Sequence, residues 1–280
     1  MTYLLLSILS SIGILLIFKL FTRFQVVTRE AIMVNYLTAT LTGLLAFGMK
    51  DAIMDAPWLL PAAALGFLFY SVFRIMAKVT QENGVSISSI VTKMSVVVPV
   101  VVGLTVLDES FNLLKIIGVI LGLLSIILSA GSSVKSTSWL WLAILFVGSG
   151  LIDTSLQLIQ EWTVPENEFG HFSTTVFGFA FITALIHHVS IKRKLPERPT
   201  MIGGVILGIV NFSALYFILK ALALPNWESS MVFPINNFGI IAGSTLIALV
   251  AFGERLNLKG WLSLIAATGS ILLLYLSIEW

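Results

Sequence analysis

Three ionisable residues interrupt long apolar stretches of this sequence: Arg74, Lys93 and Asp153. A charged side chain within apolar surroundings is costly, so such residues usually face a polar cavity or one another. Two cations and one carboxylate around a central cavity can bind an anionic or a zwitterionic solute. We therefore predict that Arg74, Lys93 and Asp153 contribute to a substrate-binding site.

Each of these charges also has a structural interpretation. Arg74 lies near the end of its apolar stretch, where a long cationic side chain can snorkel toward water. Lys93 can pair with another helix, and Asp153 can neutralise a neighbouring cation or carry protons. The sequence leaves these alternatives open.

Uncharged polar residues extend the same pattern. Gln157 follows Asp153 by four residues and therefore shares its helical face, and Asn211 and Asn237 lie in later apolar stretches. Pro234 precedes Asn237, and a proline in a helix frees the carbonyl four residues back. We predict that Gln157, Asn211 and Asn237 also bind substrate, although such residues commonly form hydrogen bonds between helices.

The composition indicates which elements carry these residues. The chain has 280 residues, of which 58% are hydrophobic and 11% charged, and its mean hydropathy is +1.01. A soluble domain has about 25% charged residues, so part of this surface must face lipid. The net charge of +2, without a basic run, gives no indication of nucleic acid binding. The absence of cysteine excludes thiolate metal sites, and we expect no metal and no cofactor.

The apolar stretches predict an all-α integral membrane protein with ten transmembrane helices. Each stretch is about 20 residues long, which suffices to cross a bilayer as a helix, and lipid provides no partner for an open strand edge. The tryptophans fall near the predicted helix ends, where indole rings prefer to lie. The predicted spans are 3–21, 30–48, 58–79, 86–107, 112–130, 138–159, 170–190, 201–221, 229–252 and 258–277.

A weak internal repeat relates the two halves of the chain. An offset of 142 in residue number, which we call the repeat offset, places Gly66 on Gly208 and Ser88 on Ser230, and an offset of 145 places Glu109 on Glu254. Five spans in each half is an odd number, so the second half must be inverted relative to the first. Inverted repeats build many secondary transporters, with the substrate site where the halves meet. We predict an N-terminal repeat over 1–133 and a C-terminal repeat over 134–280, which form one transmembrane unit.

This pattern resembles the drug/metabolite transporter superfamily, in particular its EamA-like members with ten helices. The resemblance rests on the two five-helix halves and on an acidic residue before the last helix of each half, in Val106-Leu107-Asp108-Glu109 and in Phe252-Gly253-Glu254-Arg255. It implies a central cavity between the halves, export or exchange of small metabolites, and termini in the cytoplasm. We expect both acidic residues at helix N-termini, where the helix dipole favours an anion.

The distribution of positive charge argues for the opposite orientation. Lysine and arginine concentrate in the odd-numbered connections, above all in the seventh, whereas the even-numbered connections hold only Lys50, Lys115 and Lys220. By the positive-inside rule the odd-numbered connections are cytoplasmic and both termini lie outside. The orientation stays open between these two interpretations.

These observations predict a multi-pass protein of the cell (plasma or inner) membrane, not an enzyme. We expect a secondary transporter that moves a small polar metabolite or drug by alternating access, as a monomer or homodimer. The alternative is a membrane-embedded enzyme that acts on a lipid-linked substrate, for which Glu161, Glu166, Glu168 and His171 are the candidate residues.

Overall fold

The computed structural model describes residues 1–51, 53–83, 88, 91–93, 95–109, 112–129, 139–191, 196–225, 227–252 and 258–276. This part of the chain is helical without a strand, which confirms the predicted all-α class. Ten α-helices have described bounds: α1 (Thr2–Arg23), α2 (Thr28–Phe47), α3 (Leu59–Asn83), α4 (Val97–Val106), α5 (Leu113–Ser129), α6 (Trp139–Trp162), α7 (Phe169–Ser190), α8 (Arg198–Leu222), α9 (Ser229–Phe252) and α10 (Leu258–Leu276).

Six of these helices (α1, α2, α3, α6, α7 and α8) are long and apolar enough to cross a membrane. The 22 residues of α1, for example, extend about 33 Å at 1.5 Å per residue. Large apolar side chains also cover the outside of the bundle, and Leu45 and Val250 are each 88% exposed. These features are compatible with a membrane protein, because contiguous exposed apolar surface is unfavourable in water.

The helix contacts follow a regular pattern. Helix α5 packs against α10, and α2 against α7; α1 contacts α8 and α9, while α6 contacts α3 and α4; α2 also contacts α8, and α7 contacts α3. Exchanging each helix for the one five places away converts the α5–α10 and α2–α7 contacts into themselves, and every other contact in this set into another member of the set.

Side-chain contacts define two ends of the bundle. At the even end, named for the even-numbered connections, the Glu168 carboxylate before α7 pairs with Lys50 after α2 and accepts a hydrogen bond of 2.6 Å from Trp58 Nε1 before α3. At the odd end, the Val27 N–H beside α2 donates to Thr200 Oγ1 in α8 at 3.2 Å. If successive helices alternate in direction, all even-numbered connections lie at one end of the bundle and all odd-numbered connections at the other. The observed contacts agree with this arrangement.

The fourth predicted span is not one continuous helix. Residues 91–93 are helical, residues 95 and 96 form a turn, and α4 begins only at Val97. Pro99 explains the break, because it cannot donate to the Ser95 carbonyl and its ring would clash there. That carbonyl instead accepts the Val98 N–H at 3.0 Å. The turn lies two residues after Lys93.

Glycines permit close approach of helix backbones at two places. A Cβ atom added to Gly208 in α8 would lie 2.5 Å from the Asn35 carbonyl oxygen and 3.1 Å from the Ala39 nitrogen, both in α2. A Cβ added to Gly66 in α3 would lie 2.6 Å from the Val176 carbonyl oxygen and 2.8 Å from the Ala180 nitrogen, both in α7. Small residues are typical where helices pack without a hydrophobic driving force.

Candidate functional site

A cavity of about 160 Å³ lies between α1, α3, α6, α8, α9 and helical residues 91–93. Helix α3 contributes only apolar side chains, whereas every other element contributes polar ones. The polar lining residues are Ser7, Ser11, Thr92, Lys93, Ser149, Asp153, Asn211, Asn236 and Asn237. A mostly apolar wall with a few polar groups is typical of a small-molecule site.

The cavity contains one cation and one carboxylate, Lys93 and Asp153, both half-buried. They are near enough to attract each other electrostatically, and the Asn237 side chain also faces Asp153. Within the described part of the chain, however, no ion pair of 4.0 Å or less joins Lys93 to Asp153. Both charges are therefore available to a bound molecule with groups of opposite sign.

Neutral polar groups in the wall also have unused hydrogen-bonding capacity. Ser149 Oγ and Asn236 Oδ1 are buried and have no partner among the described residues. Leaving such an atom unpaired costs about 1–3 kcal/mol, which a polar solute in the cavity would relieve. Asn211 differs, because its Nδ2 donates to Asn35 Oδ1 at 3.1 Å.

The cavity wall repeats along the sequence. Every lining residue of α1 and α3 recurs in the wall at the repeat offset: Ser7 with Ser149, Ser11 with Asp153, Ile14 with Leu156, Phe69 with Asn211, Val72 with Ala214, Phe73 with Leu215 and Met76 with Ile218. At an offset of 144, Thr92 and Lys93 correspond to Asn236 and Asn237. The two halves thus contribute matching positions to one cavity, and the charged residues have neutral counterparts.

Four of the six predicted binding residues line this cavity: Lys93, Asp153, Asn211 and Asn237. Arg74 does not, because it lies on the face of α3 that includes Ser71 and Lys78, whereas Phe69, Val72, Phe73 and Met76 face the cavity. The Arg74 guanidinium instead lies 3.4 Å from His187 Nε2, in a separate groove at the odd end.

Gln157, the sixth predicted residue, also lies outside the cavity wall. It continues the face of Asp153 by one turn toward the even end, where it is fully buried and donates to Ser229 Oγ. Its neighbour Glu109 accepts the backbone N–H groups of Ser229 at 3.0 Å and of Ser230 at 2.9 Å. An ion pair between the buried Lys115 and the partly exposed Glu228 lies beside them.

We call Glu109, Gln157, Ser229 and Ser230 the even-end cluster. It joins residues that follow α4, end α6 and begin α9, one turn beyond the cavity residues of α9. A Cβ at Gly103 would lie 2.7 Å from Glu109 Oε2 and 3.1 Å from Gln157 Nε2, so a larger residue would displace the Glu109 carboxylate and crowd the Gln157 amide. The cluster lies on the even-end side of the cavity.

The cluster also places Glu109 at a helix N-terminus, as the sequence predicted, but at that of α9 in the opposite half. The two N–H groups that it accepts lack partners within their helix, and the dipole there favours an anion. Its repeat partner Glu254 lies outside the described residues.

The acidic residues of the sixth connection have structural partners. Glu168 is held by Lys50 and Trp58, and Glu166 accepts from Lys220 Nζ at 2.9 Å. The His171 ring packs against Phe47. No group of three or more potential metal ligands occurs among the described residues.

Ser149 precedes Asp153 by four residues, so spacing groups the two on one helical face. Four other polar wall residues were missed by the sequence prediction: Ser7, Ser11, Thr92 and Asn236. A signal for two of them existed, since the repeat offset applied to Ser149 and Asp153 leads to Ser7 and Ser11. No comparable signal identified Thr92 and Asn236, because a polar residue beside a predicted site has no distinctive spacing.

Comparisons with known proteins establish the fold but name no function. No protein-family model matches the chain. An uncharacterised protein of Haemophilus influenzae is 27% identical over 284 residues, which cover 96% of each chain. A solved crystal structure that is 15% identical superposes with a TM-score of 0.69 and covers 98% of each chain. At that identity the superposition shows a shared fold alone.

Proposed function

We propose that this protein is a secondary transporter of a small polar metabolite, of the drug/metabolite transporter type. The observation that carries the proposal is the cavity, to which both halves contribute matching positions and which contains Lys93 and Asp153. A binding site between two related halves is the usual arrangement in transporters that work by alternating access. The proposal includes ten transmembrane helices in a cell membrane.

An inverted five-plus-five repeat is supported by three features. The set of helix contacts described above is preserved under a step of five helices, and the cavity wall repeats at the repeat offset. Gly66 and Gly208, which that offset relates, each approach a carbonyl oxygen and an amide nitrogen on equivalent helices of opposite halves. Chance similarity between apolar sequences does not account for shared tertiary contacts.

Alternating access requires contacts that break when the opposite side opens. The even-end cluster has the right position and chemistry for this role. The Glu109 carboxylate, which follows α4, accepts hydrogen bonds from the start of α9, and Gln157 of α6 donates to Ser229 of α9. Such bonds are individually modest in net free energy, so a conformational change can exchange them for bonds to water.

The cavity favours a small zwitterionic solute over a multiply charged anion. With Arg74 outside the wall, Lys93 and Asp153 provide one charge of each sign. The volume of about 160 Å³ accommodates roughly five water molecules at about 30 Å³ each, well below the pockets of at least about 300 Å³ that hold drug-sized ligands. Amino acids and similarly small amphoteric metabolites meet both conditions.

The test is uptake and counterflow in proteoliposomes, screened against amino acids, organic anions, sugars and nucleosides. We expect saturable uptake of a zwitterion, reduced at least tenfold in Lys93→Gln and Asp153→Asn. Glu161→Gln is the matched control, since Glu161 is on the same helix as Asp153 but is exposed. Folded protein that neither binds nor moves any of these solutes contradicts the proposal.

A separate experiment tests whether Asp153 carries protons. In that case Asp153→Asn abolishes the dependence of uptake on a pH gradient but spares counterflow exchange, which needs no net proton movement. Full retention of the pH response in the variant assigns Asp153 to solute binding alone.

A further inference from the structure

A second concave site lies at the odd end of the bundle, away from the central cavity. It is a groove of about 580 Å³ between the start of α2, the last turns of α3 and the start of α6. It shares no lining residue with the central cavity. We call it the odd-end groove.

Three cations line the odd-end groove: Arg29, Arg74 and Lys78. None of them forms an ion pair with a carboxylate within the described part of the chain. The groove has one acidic lining residue, Glu82, so its positive charges exceed its negative ones. Three unneutralised cations beside one another repel and are stabilised by an anion between them.

The cations are held in position by aromatic and histidine side chains. The Arg74 guanidinium lies 5.7 Å from the Tyr70 ring centre, and Lys78 Nζ lies 4.1 Å from that of Trp141. Tyr70 OH is in turn 2.8 Å from His187 Nδ1. Arg29 and Arg74 both act electrostatically on Tyr70 and His187, which indicates that the two guanidinium groups converge on the same region.

The groove also has an apolar side. Ile32, Ile75 and Ala77 complete its wall, and Trp141 lies three residues into α6, where indole rings mark a membrane interface. A polar, cationic region next to an apolar one, at the depth of a headgroup, is the chemistry that basic pockets use for anionic lipids. Arginine pairs are also well suited to phosphate, which they bind through two parallel hydrogen bonds.

We propose that the odd-end groove binds a phosphate group, carried either by an anionic lipid headgroup or by a free phosphorylated solute. Arg29 and Arg74 contact the phosphate oxygens, and Lys78 adds a third charge at the mouth. This site is distinct from the transport cavity. It rests on the groove's own residues and does not require the proposed transport activity.

The test measures thermal unfolding of the purified protein with phosphatidylglycerol, with zwitterionic phosphatidylcholine, and with inorganic phosphate in the absence of added lipid. We expect phosphatidylglycerol or phosphate to raise the midpoint through binding to the folded state, and phosphatidylcholine to leave it unchanged. If phosphatidylglycerol raises the midpoint and inorganic phosphate does not, the site binds a lipid headgroup. If inorganic phosphate also raises the midpoint, the site binds free anions.

Variants then locate the effect. Arg29→Gln and Arg74→Gln should each weaken the anion's apparent affinity roughly tenfold or more, as loss of a charge-assisted hydrogen bond implies. Arg23→Gln and Arg198→Gln are matched controls, because these exposed arginines lie at the same end and outside the groove. Equal weakening in the controls, or no preference of the wild type for an anion, overturns the proposal.

Lys78→Gln provides a variant that should fold in any case, since the Lys78 side chain is exposed and makes no hydrogen bond in the described part of the chain. It should retain the wild-type midpoint in phosphatidylcholine and lose several-fold in anion affinity. If the anion's apparent affinity is unchanged in this variant, Lys78 is not part of the site, and the result contradicts the proposed binding of the anion in the odd-end groove.

Discussion

The close approach of helices at Gly66 and Gly208 gives a quantitative test of the fold. Ordinary van der Waals contact begins at 3.4 Å. A Cβ added to Gly208 would lie about 0.9 Å closer than this to the Asn35 carbonyl oxygen, and a Cβ added to Gly66 would lie about 0.8 Å closer to the Val176 carbonyl oxygen. Backbone atoms of packed helices cannot rotate away. Gly66→Ala and Gly208→Ala must therefore push α3 from α7, and α8 from α2.

Overpacking of this kind costs about 1–3 kcal/mol, and alanine recovers up to about 1 kcal/mol through its higher helix propensity. We expect each variant to lose about 1–2 kcal/mol of unfolding free energy, which corresponds to a fall of a few degrees in the unfolding midpoint. Tryptophan fluorescence during heating, in detergent, measures this directly.

Gly178→Ala is the matched control. Gly178 is also inside a helix, α7, but a Cβ there would meet only Thr40 Cγ2 at 3.8 Å, an ordinary contact. The same substitution should therefore be neutral or stabilising by up to about 1 kcal/mol. If Gly66→Ala or Gly208→Ala behaves like this control, the backbone contacts described above are wrong. If only one of them is destabilising, the two halves do not pack equivalently.

Three further predictions concern the ends of the bundle. Glu109→Gln should lower the unfolding free energy by about 1–2 kcal/mol, because a neutral amide caps the N-terminus of α9 less well than a carboxylate; an unchanged thermal midpoint contradicts this. Glu168→Gln should cost less than about 1 kcal/mol in the same assay, because it loses a partly exposed ion pair but still accepts the hydrogen bond from Trp58. Glu168→Leu leaves the buried indole N–H unpaired and should therefore cost about 1–3 kcal/mol more. Because the chain has no cysteine, Asp55→Cys and Glu197→Cys can each be labelled from one side of the membrane with an impermeant maleimide. Labelling of both variants from the same side would rule out the alternating helix directions. The side from which Glu197→Cys is labelled decides the orientation.

The helical class can be inferred from the sequence alone. Runs of apolar residues of membrane-spanning length predicted the helical class, because helix length and composition are local properties. The repeat offset was also visible in the sequence, although the matches then available, such as Gly66 with Gly208, were few. Lys93 and Asp153 could be selected as site residues because a charge in an apolar helix has few places to lie.

What each helical face contacts depends on tertiary packing. Periodicity grouped Arg74 with Ser71 and Lys78 on one face of α3, but it could not show that this face lines the odd-end groove while Phe73 faces the cavity. Likewise Gln157 shares a face with Asp153, yet it reaches Ser229 of α9, a helix that is distant in sequence. Spacing fixes the direction of a side chain around its own helix axis, whereas the neighbour in that direction depends on how distant helices pack. For this reason the sequence placed three charges around one cavity, and the packing divided them between two sites.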